Sequence, residues 1–226
     1  NLTMTQGNVD AGSYTLAVTG NLIYTSGTVI GKLRRNLTAT GTEYLFPVGT
    51  AASYNPLKIT FTNLTSGTLT TSYQAADIGT TGLPLDDAGN VIYDRQTTGY
   101  WTLTAGTLAS TNYSVNLNHN GFPDIDSRAR ILKRTNGGNL SLNGTHGTVS
   151  ASEITRTGLS GISTTTTDLA IGKPHPRFTT HPSDFIGCTA TFSVVASGNT
   201  PLTYRWQENN GGGFLNISDG GIYSDR

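Results

Sequence analysis

Two groups of oxygen-bearing side chains stand out as residues that could do chemistry. Asp86, Asp87, Asn90 and Asp94 form one, and Asn118, Asn120, Asp124 and Asp126 the other. Oxygen-rich loops of this kind can hold calcium, which makes Asp86, Asp87, Asp94, Asp124 and Asp126 candidate metal ligands. Neither group matches the EF-hand loop with its closing Glu. Asp and Asn also build turns by bonding to nearby backbone, and this is the competing role. Tyr100 and Trp101 are the best candidates for a sugar platform, because a flat ring can stack on a sugar face. The other role open to Trp101 is core, alternating inward with Leu103.

Other reactive patterns are incomplete. Gly27-Thr28-Val29-Ile30-Gly31-Lys32 is one residue short of a phosphate loop, and Leu33 replaces the hydroxyl residue that would hold magnesium. His119, His146, His175 and His181 offer no pair at helical spacing and read as solvated loop residues. Gly158-Leu159-Ser160-Gly161-Ile162 breaks the nucleophile-elbow pattern at its last position. Glu43, Glu153 and Glu208 are the only glutamates and nominate no acid pair for glycoside hydrolysis. One cysteine cannot build a zinc or iron–sulfur site. The sequence thus predicts no catalytic residues, no cofactor and no enzyme.

The elements that must position these residues are strands. Leu57, Ile59 and Phe61 alternate with polar residues, as do Leu69, Thr71 and Tyr73, then Tyr113, Val115 and Leu117, then Ala190, Phe192 and Val194. Each run predicts a strand with one buried face. Ser66-Gly67, Asn120-Gly121, Asn136-Gly137-Gly138 and Asn143-Gly144 supply turns between them. Helix signals are nearly absent. The expected class is all-β, a β-sandwich.

Composition sets further bounds. The chain has 226 residues, 28 of them Gly, with 14 basic and 14 acidic side chains and zero formal net charge. No basic patch steers it to nucleic acid. No apolar run approaches the roughly 18 residues that span a bilayer. Asn-x-Ser/Thr triplets at Asn36, Asn63, Asn112, Asn139, Asn143 and Asn216 follow from the Asn- and Thr-rich composition.

The chain divides by pattern into four parts. Residues 1–35 form a strand–turn repeat segment, in which the phrase beginning Gly7-Asn8-Val9 echoes the one beginning Gly20-Asn21-Leu22. A repeat unit cannot bury its face alone, so it should stack on a neighbour. Residues 36–172 form the β-sandwich domain. Residues 173–177, Lys173-Pro174-His175-Pro176-Arg177, form a stiff linker. Residues 178–226 form a shorter third unit.

That third unit carries Cys188, Phe192-Ser193-Val194-Val195 and Tyr204-Arg205-Trp206-Gln207, and it resembles the first half of an immunoglobulin-like domain. The resemblance implies Cys188 on one strand, Trp206 in the core, and a second Cys that this chain lacks. Asp219-Gly220-Gly221-Ile222-Tyr223 looks like the tyrosine-corner phrase but follows Trp206 too soon, and Asp225 stands where Cys would be. Cys188 is either paired elsewhere or a free, buried thiol. The expected module is partial, with strands to be supplied from outside.

The order of phrases is similar to that of large surface and secreted proteins of Bacteroidota. The strand–turn repeats lead into Gly31-Lys32-Leu33-Arg34-Arg35, then Tyr44-Leu45-Phe46-Pro47-Val48-Gly49, then Tyr54-Asn55-Pro56-Leu57, then the immunoglobulin-like module. Such proteins are typically exported by the type IX route, whose sorting domain is not in this sequence; an internal fragment is expected. The resemblance implies an extracellular, adhesive or structural role at the bacterial cell surface. Expected partners are copies of the chain or neighbouring modules of the same polypeptide, assembled head to tail with residues 1–35 meeting residues 178–226 of a neighbour. Surface glycans are the other expected partner, for a carbohydrate-binding module beside an enzyme. No nucleic acid and no membrane insertion are expected.

Overall fold

Alternating β-branched and aromatic residues make strands throughout, and no helix occurs among the described residues. The structure is a computed structural model and describes residues 1–187, 189–197 and 202–220. It divides into two units, Asn1–His175 and Pro176–Arg226.

The first unit opens with β1 (Leu2–Met4), β2 (Val9–Val18), β3 (Leu22–Tyr24) and β4 (Val29–Leu37). These strands pair in parallel, at one interval along the chain as far as Asp10 beside Ile30; a bulge in β2 then shifts the register, so that Thr15 lies beside Lys32. Leu2 lies beside Leu22, Met4 beside Tyr24 and Val9 beside Val29. After β5 (Glu43–Phe46), β6 (Val48–Gly49) adds a third layer, with Val48 parallel to Val29 at an interval shorter by one position. The chain therefore winds as a short parallel coil with Val9, Val29 and Val48 in register. Identical residues recur at the interval of the first two layers: Asn1 and Asn21, Leu2 and Leu22, Thr5 and Thr25, Gly7 and Gly27. The phrases starting at Gly7 and Gly20 do not stack on each other, since Val9 lies beside Val29 and not beside Leu22. The repeat is real, but its period is longer than those phrases suggest.

The sandwich follows. β7 (Leu57–Phe61), β8 (Gly67–Gln74), β9 (Leu85–Asp87), β10 (Asn90–Arg95), β11 (Tyr100–Ala105), β12 (Tyr113–Asn118), β13 (Arg130–Thr135), β14 (Thr145–Val149), β15 (Glu153–Leu159) and β16 (Thr166–Pro174) complete the first unit. One sheet has nine strands, with the path β2-β4-β8-β11-β16-β10-β9, β6 pairing with β4 and β13 with β16. The other has five antiparallel strands in the order β14-β15-β12-β7-β5. Between them lies one apolar core. Phe46, Leu57, Phe61, Leu69, Trp101, Tyr113 and Leu169 all have essentially no exposure. The alternations expected in β7, β8 and β12 are all seen as buried inward positions. Asn136 and Gly137 both take left-handed backbone, as the turn after β13 requires.

The expected boundary at residue 35 falls inside β4. That strand carries one continuous inward series, Val29, Leu33 and Leu37, all fully buried. Its first half pairs with β6 in parallel and its second half with β8 antiparallel, while β2 covers the opposite edge. Residues 1–35 thus share the core of the sandwich and are not a separate segment: β2 and β4 belong to the large sheet, and β1 and β3 form a two-stranded sheet packed on the same core. The expected linker at 173–177 is also mostly strand, since Lys173 and Pro174 still belong to β16 and Arg177 opens the next strand.

The second unit has two short antiparallel pairs, β17 (Arg177–Thr180) with β18 (Val195–Ser197), and β19 (Gln207–Asn209) with β20 (Phe214–Asn216). No strand forms over 189–194, so the alternation of Ala190, Phe192 and Val194 is not used. Phe178, Phe185, Ile186, Phe192, Phe214 and Leu215 are exposed, and Trp206 is only half-buried where core was expected. Among the described residues of this unit, the four very short strands pair too little backbone to cover these side chains. Cys188 and the residues of the 219–223 phrase beyond Gly220 lie outside the described residues.

The coil predicts unequal costs for two glycines. A Cβ on Gly27 would lie 1.9 Å from the Gly7 carbonyl oxygen, whereas one on Gly7 meets nothing within 4 Å; both take left-handed backbone. Gly7→Ala is expected to cost about 1–2 kcal/mol from backbone strain alone, and Gly27→Ala distinctly more. Urea unfolding of both variants compares them, and equal costs would mean that the two layers do not touch.

Candidate functional site

The residues named for chemistry are held by the two sheets in unlike ways. Trp101 is fully buried on β11, and its Nε1–H donates to the Asn55 carbonyl at 2.7 Å. Tyr73 lies beside it by strand register, with ring centroids 5.4 Å apart, and Phe122 closes the other side at 5.8 Å. The Trp101 ring face is therefore not offered to a sugar. Tyr100, its neighbour on the opposite face, is half-buried with the Arg134 guanidinium 5.7 Å from its ring centre. Burial pushes the Tyr73 hydroxyl up to about 12, and that hydroxyl faces the Thr98 carbonyl. A small cleft of about 200 Å³ lies here, lined by Thr50, Ser53, Asn55, Tyr73, Thr98 and Phe122. A larger cavity of about 480 Å³ lies in the second unit, with Pro176, Phe178, Pro182, Tyr204 and Trp206 in its lining.

The acidic candidates are occupied within the fold. Asp86 accepts from the Gly89 amide at 2.6 Å, closing the turn between β9 and β10. Asp94 holds Arg95 at 2.7 Å, and Asp126 holds Arg128 at 2.6 Å. Asp124 lies in the same loop as Asp126 in left-handed backbone. Among the described residues, no three His, Cys, Asp or Glu side chains gather as a metal site. Gly27 to Lys32 run into β4 and not into a helix, so no helix N-terminus faces a phosphate there.

Asp87 belongs to the densest charged group. It accepts from Arg130 Nε at 2.6 Å, and Arg156 Nη1 lies 3.6 Å away. Arg156 is fully buried on β15 and donates to the carbonyls of Asn143 at 2.6 Å and Gly144 at 2.8 Å. His146 pairs with Arg156 across β14 and β15. Burial, then Arg130, holds His146 below its ordinary value, against the pull of Asp87. Two guanidiniums thus share one carboxylate. Guanidinium does not exchange protons near neutral pH, and the contacts of this group join strands to one another as a latch. It ties β9 and β13 of the large sheet to β14 and β15 of the small one.

Asp168 makes a second such contact. The register places Thr102, Asp168 and Arg134 side by side on three adjacent strands. Thr102 Oγ1 donates to Asp168 at 2.8 Å and Arg134 Nη2 at 2.7 Å. Lys133 is buried as well, donates to the Ser160 carbonyl, and is held low by burial. His119 is buried against the Ser150 carbonyl at 3.0 Å, where a solvated residue was expected. These buried polar groups escaped the sequence reading. For Arg156 the signal was its place on the inward series of β15, next in alternation after Ile154.

The feature left open is the edge of the parallel coil. Among the described residues, β1 pairs only with β3, and β2 only with β4. Leu2 N–H donates to the Asn21 carbonyl and Val9 N–H to the Thr28 carbonyl, both at 2.9 Å. Backbone groups alternate in direction along a strand, so Thr3 and Asp10 present theirs to the free side. Comparison with protein-family models, curated proteins and solved structures gave no match to this chain. The class defined by the fold is an all-β sandwich entered through a parallel coil.

The latch yields two predictions. Asp87→Asn leaves Arg156 without its buried counter-charge and is expected to cost about 3 kcal/mol in urea unfolding, toward the lower end for a broken buried pair. His146 binds its proton more weakly folded than unfolded, so the unfolded chain takes up protons first as pH falls below about 6.5. Stability should decline there, and His146→Gln should flatten that part of the profile of melting temperature against pH.

Proposed function

We propose that this chain is an extracellular structural or adhesive module, a segment or subunit of a bacterial surface fibre extended head to tail through β-strand pairing. The observation that carries the reading is the free parallel edge of β1 and β2, continuous with an internal ladder already three layers deep. An unpaired edge is a template for another strand, and a soluble monomer ordinarily blunts it. The second unit supports the same reading. Its exposed Phe178, Phe192, Phe214 and Leu215 suit burial against a neighbouring module. In the first unit the acidic and basic side chains are spent largely on internal pairs, which suits a scaffold. The carbohydrate-binding alternative has no free Trp101 face to rest on.

Immunogold labelling of intact source cells with an antibody to this chain tests the reading. Gold on extracellular appendages or the outer surface is expected. Label confined to the cytoplasm would remove the proposal.

A further inference from the structure

We infer that the β1–β2 edge is an acceptor for one further coil of the same kind, matching the stretch from Asn1 to Gly20 in length, entering in parallel register and carried on the same polypeptide as the sandwich. The inference deepens the module reading by naming what the edge binds. It depends on that reading only for its setting, because an edge can accept a coil in any compartment.

Four observations carry it. The backbone ladder is periodic: Leu2 on Leu22, Val9 on Val29, Val29 on Val48. The turns are periodic too. Asn1 Oδ1 accepts from the Asn21 amide at 2.8 Å, and Asn8 Oδ1 accepts from the Thr28 amide at 3.0 Å. Each side chain thus caps the next layer of the coil, and a coil placed on Asn1 with its own leading asparagine would cap Asn1 in the same way. The glycines are periodic, since the Gly7 carbonyl occupies the space a Gly27 side chain would need, and Gly7 is itself free of side chain toward the open face. Lastly, the stack is closed at its other end. On the far side of β6 the chain turns back, with Gly49 bridged antiparallel to Tyr54 and the Asn55 N–H donating to the Val48 carbonyl at 3.0 Å, so no further parallel layer fits there. The coil can grow only from the β1 side.

The direction of the register selects the occupant. A second copy meeting this edge with its own β1–β2 edge would be related by a two-fold axis, which makes the ladder antiparallel. Among its described residues, the second unit of a neighbour offers only very short strands in antiparallel pairs. A parallel coil supplied along the chain meets both demands, and its strand order continues the one already present.

The test duplicates residues 1–20 directly ahead of Asn1 in the full chain. A control extension carries the same residues in scrambled order. The duplicated coil is expected to raise the melting temperature by about 2–4 °C in a single transition. It should also slow hydrogen exchange at the Thr3 and Asp10 amides by about tenfold or more. Changing the leading asparagine of the added coil to alanine should reduce both effects without abolishing them. The scrambled extension should do neither. If the duplicated and scrambled extensions behave alike, the edge is not an acceptor for this coil. If Thr3 and Asp10 are instead protected in the parent chain with rising concentration, the occupant is another copy and the inference is wrong. Neither outcome bears on where the immunogold label falls, so the two proposals fail separately.

Discussion

Strand β4 is the constraint on which the first unit depends. It must satisfy a parallel partner on one edge and two partners of opposite direction on the other. Each ladder fixes its register, and a one-residue slip would turn Val29, Leu33 and Leu37 out of the core together. The parallel coil and the antiparallel sandwich are therefore not two domains joined by a linker. One strand belongs to both, so a load on the coil passes directly into the backbone hydrogen bonds of the large sheet.

The low charge content has a matching consequence. With few ionisable groups, several are placed where water does not reach, at Arg156, Asp168 and Lys133. Each is met by a carboxylate, guanidinium or carbonyl from elsewhere in the chain. Contacts of this type contribute little net stability compared with an apolar replacement, yet removing one partner is severe. They act as registry marks between strands whose Thr- and Ser-rich outer faces would otherwise distinguish poorly between alignments.

Much of the sandwich was legible in the sequence. Leu57, Ile59 and Phe61 or Tyr113, Val115 and Leu117 can be inward only in a strand, and the Asn-Gly pairs fix where strands turn. The coil was only half legible. Gly7-Asn8 and Gly20-Asn21 look alike, but stacking follows Asn1 and Asn21, Gly7 and Gly27, Val9 and Val29, because parallel layers repeat by the length of a full turn. The buried charges were not legible, since Asp87 reads as a loop acid until β9, β13 and β15 bring Arg130 and Arg156 to it. Trp101 had two roles open to it, and only the packing of Tyr73 and Phe122 against its ring decides between them.

The central claim is that Val9, Val29 and Val48 mark successive layers in parallel register, and that these layers run without a break into the sandwich. Methyl NOEs in the folded chain test it most directly. The account predicts cross-peaks linking Val9 to Val29 and Val29 to Val48, together with Leu33 to the core. Cross-peaks joining Val9 to Leu22, the alignment in which the Gly7 and Gly20 phrases would stack, with none to Val29, would contradict it.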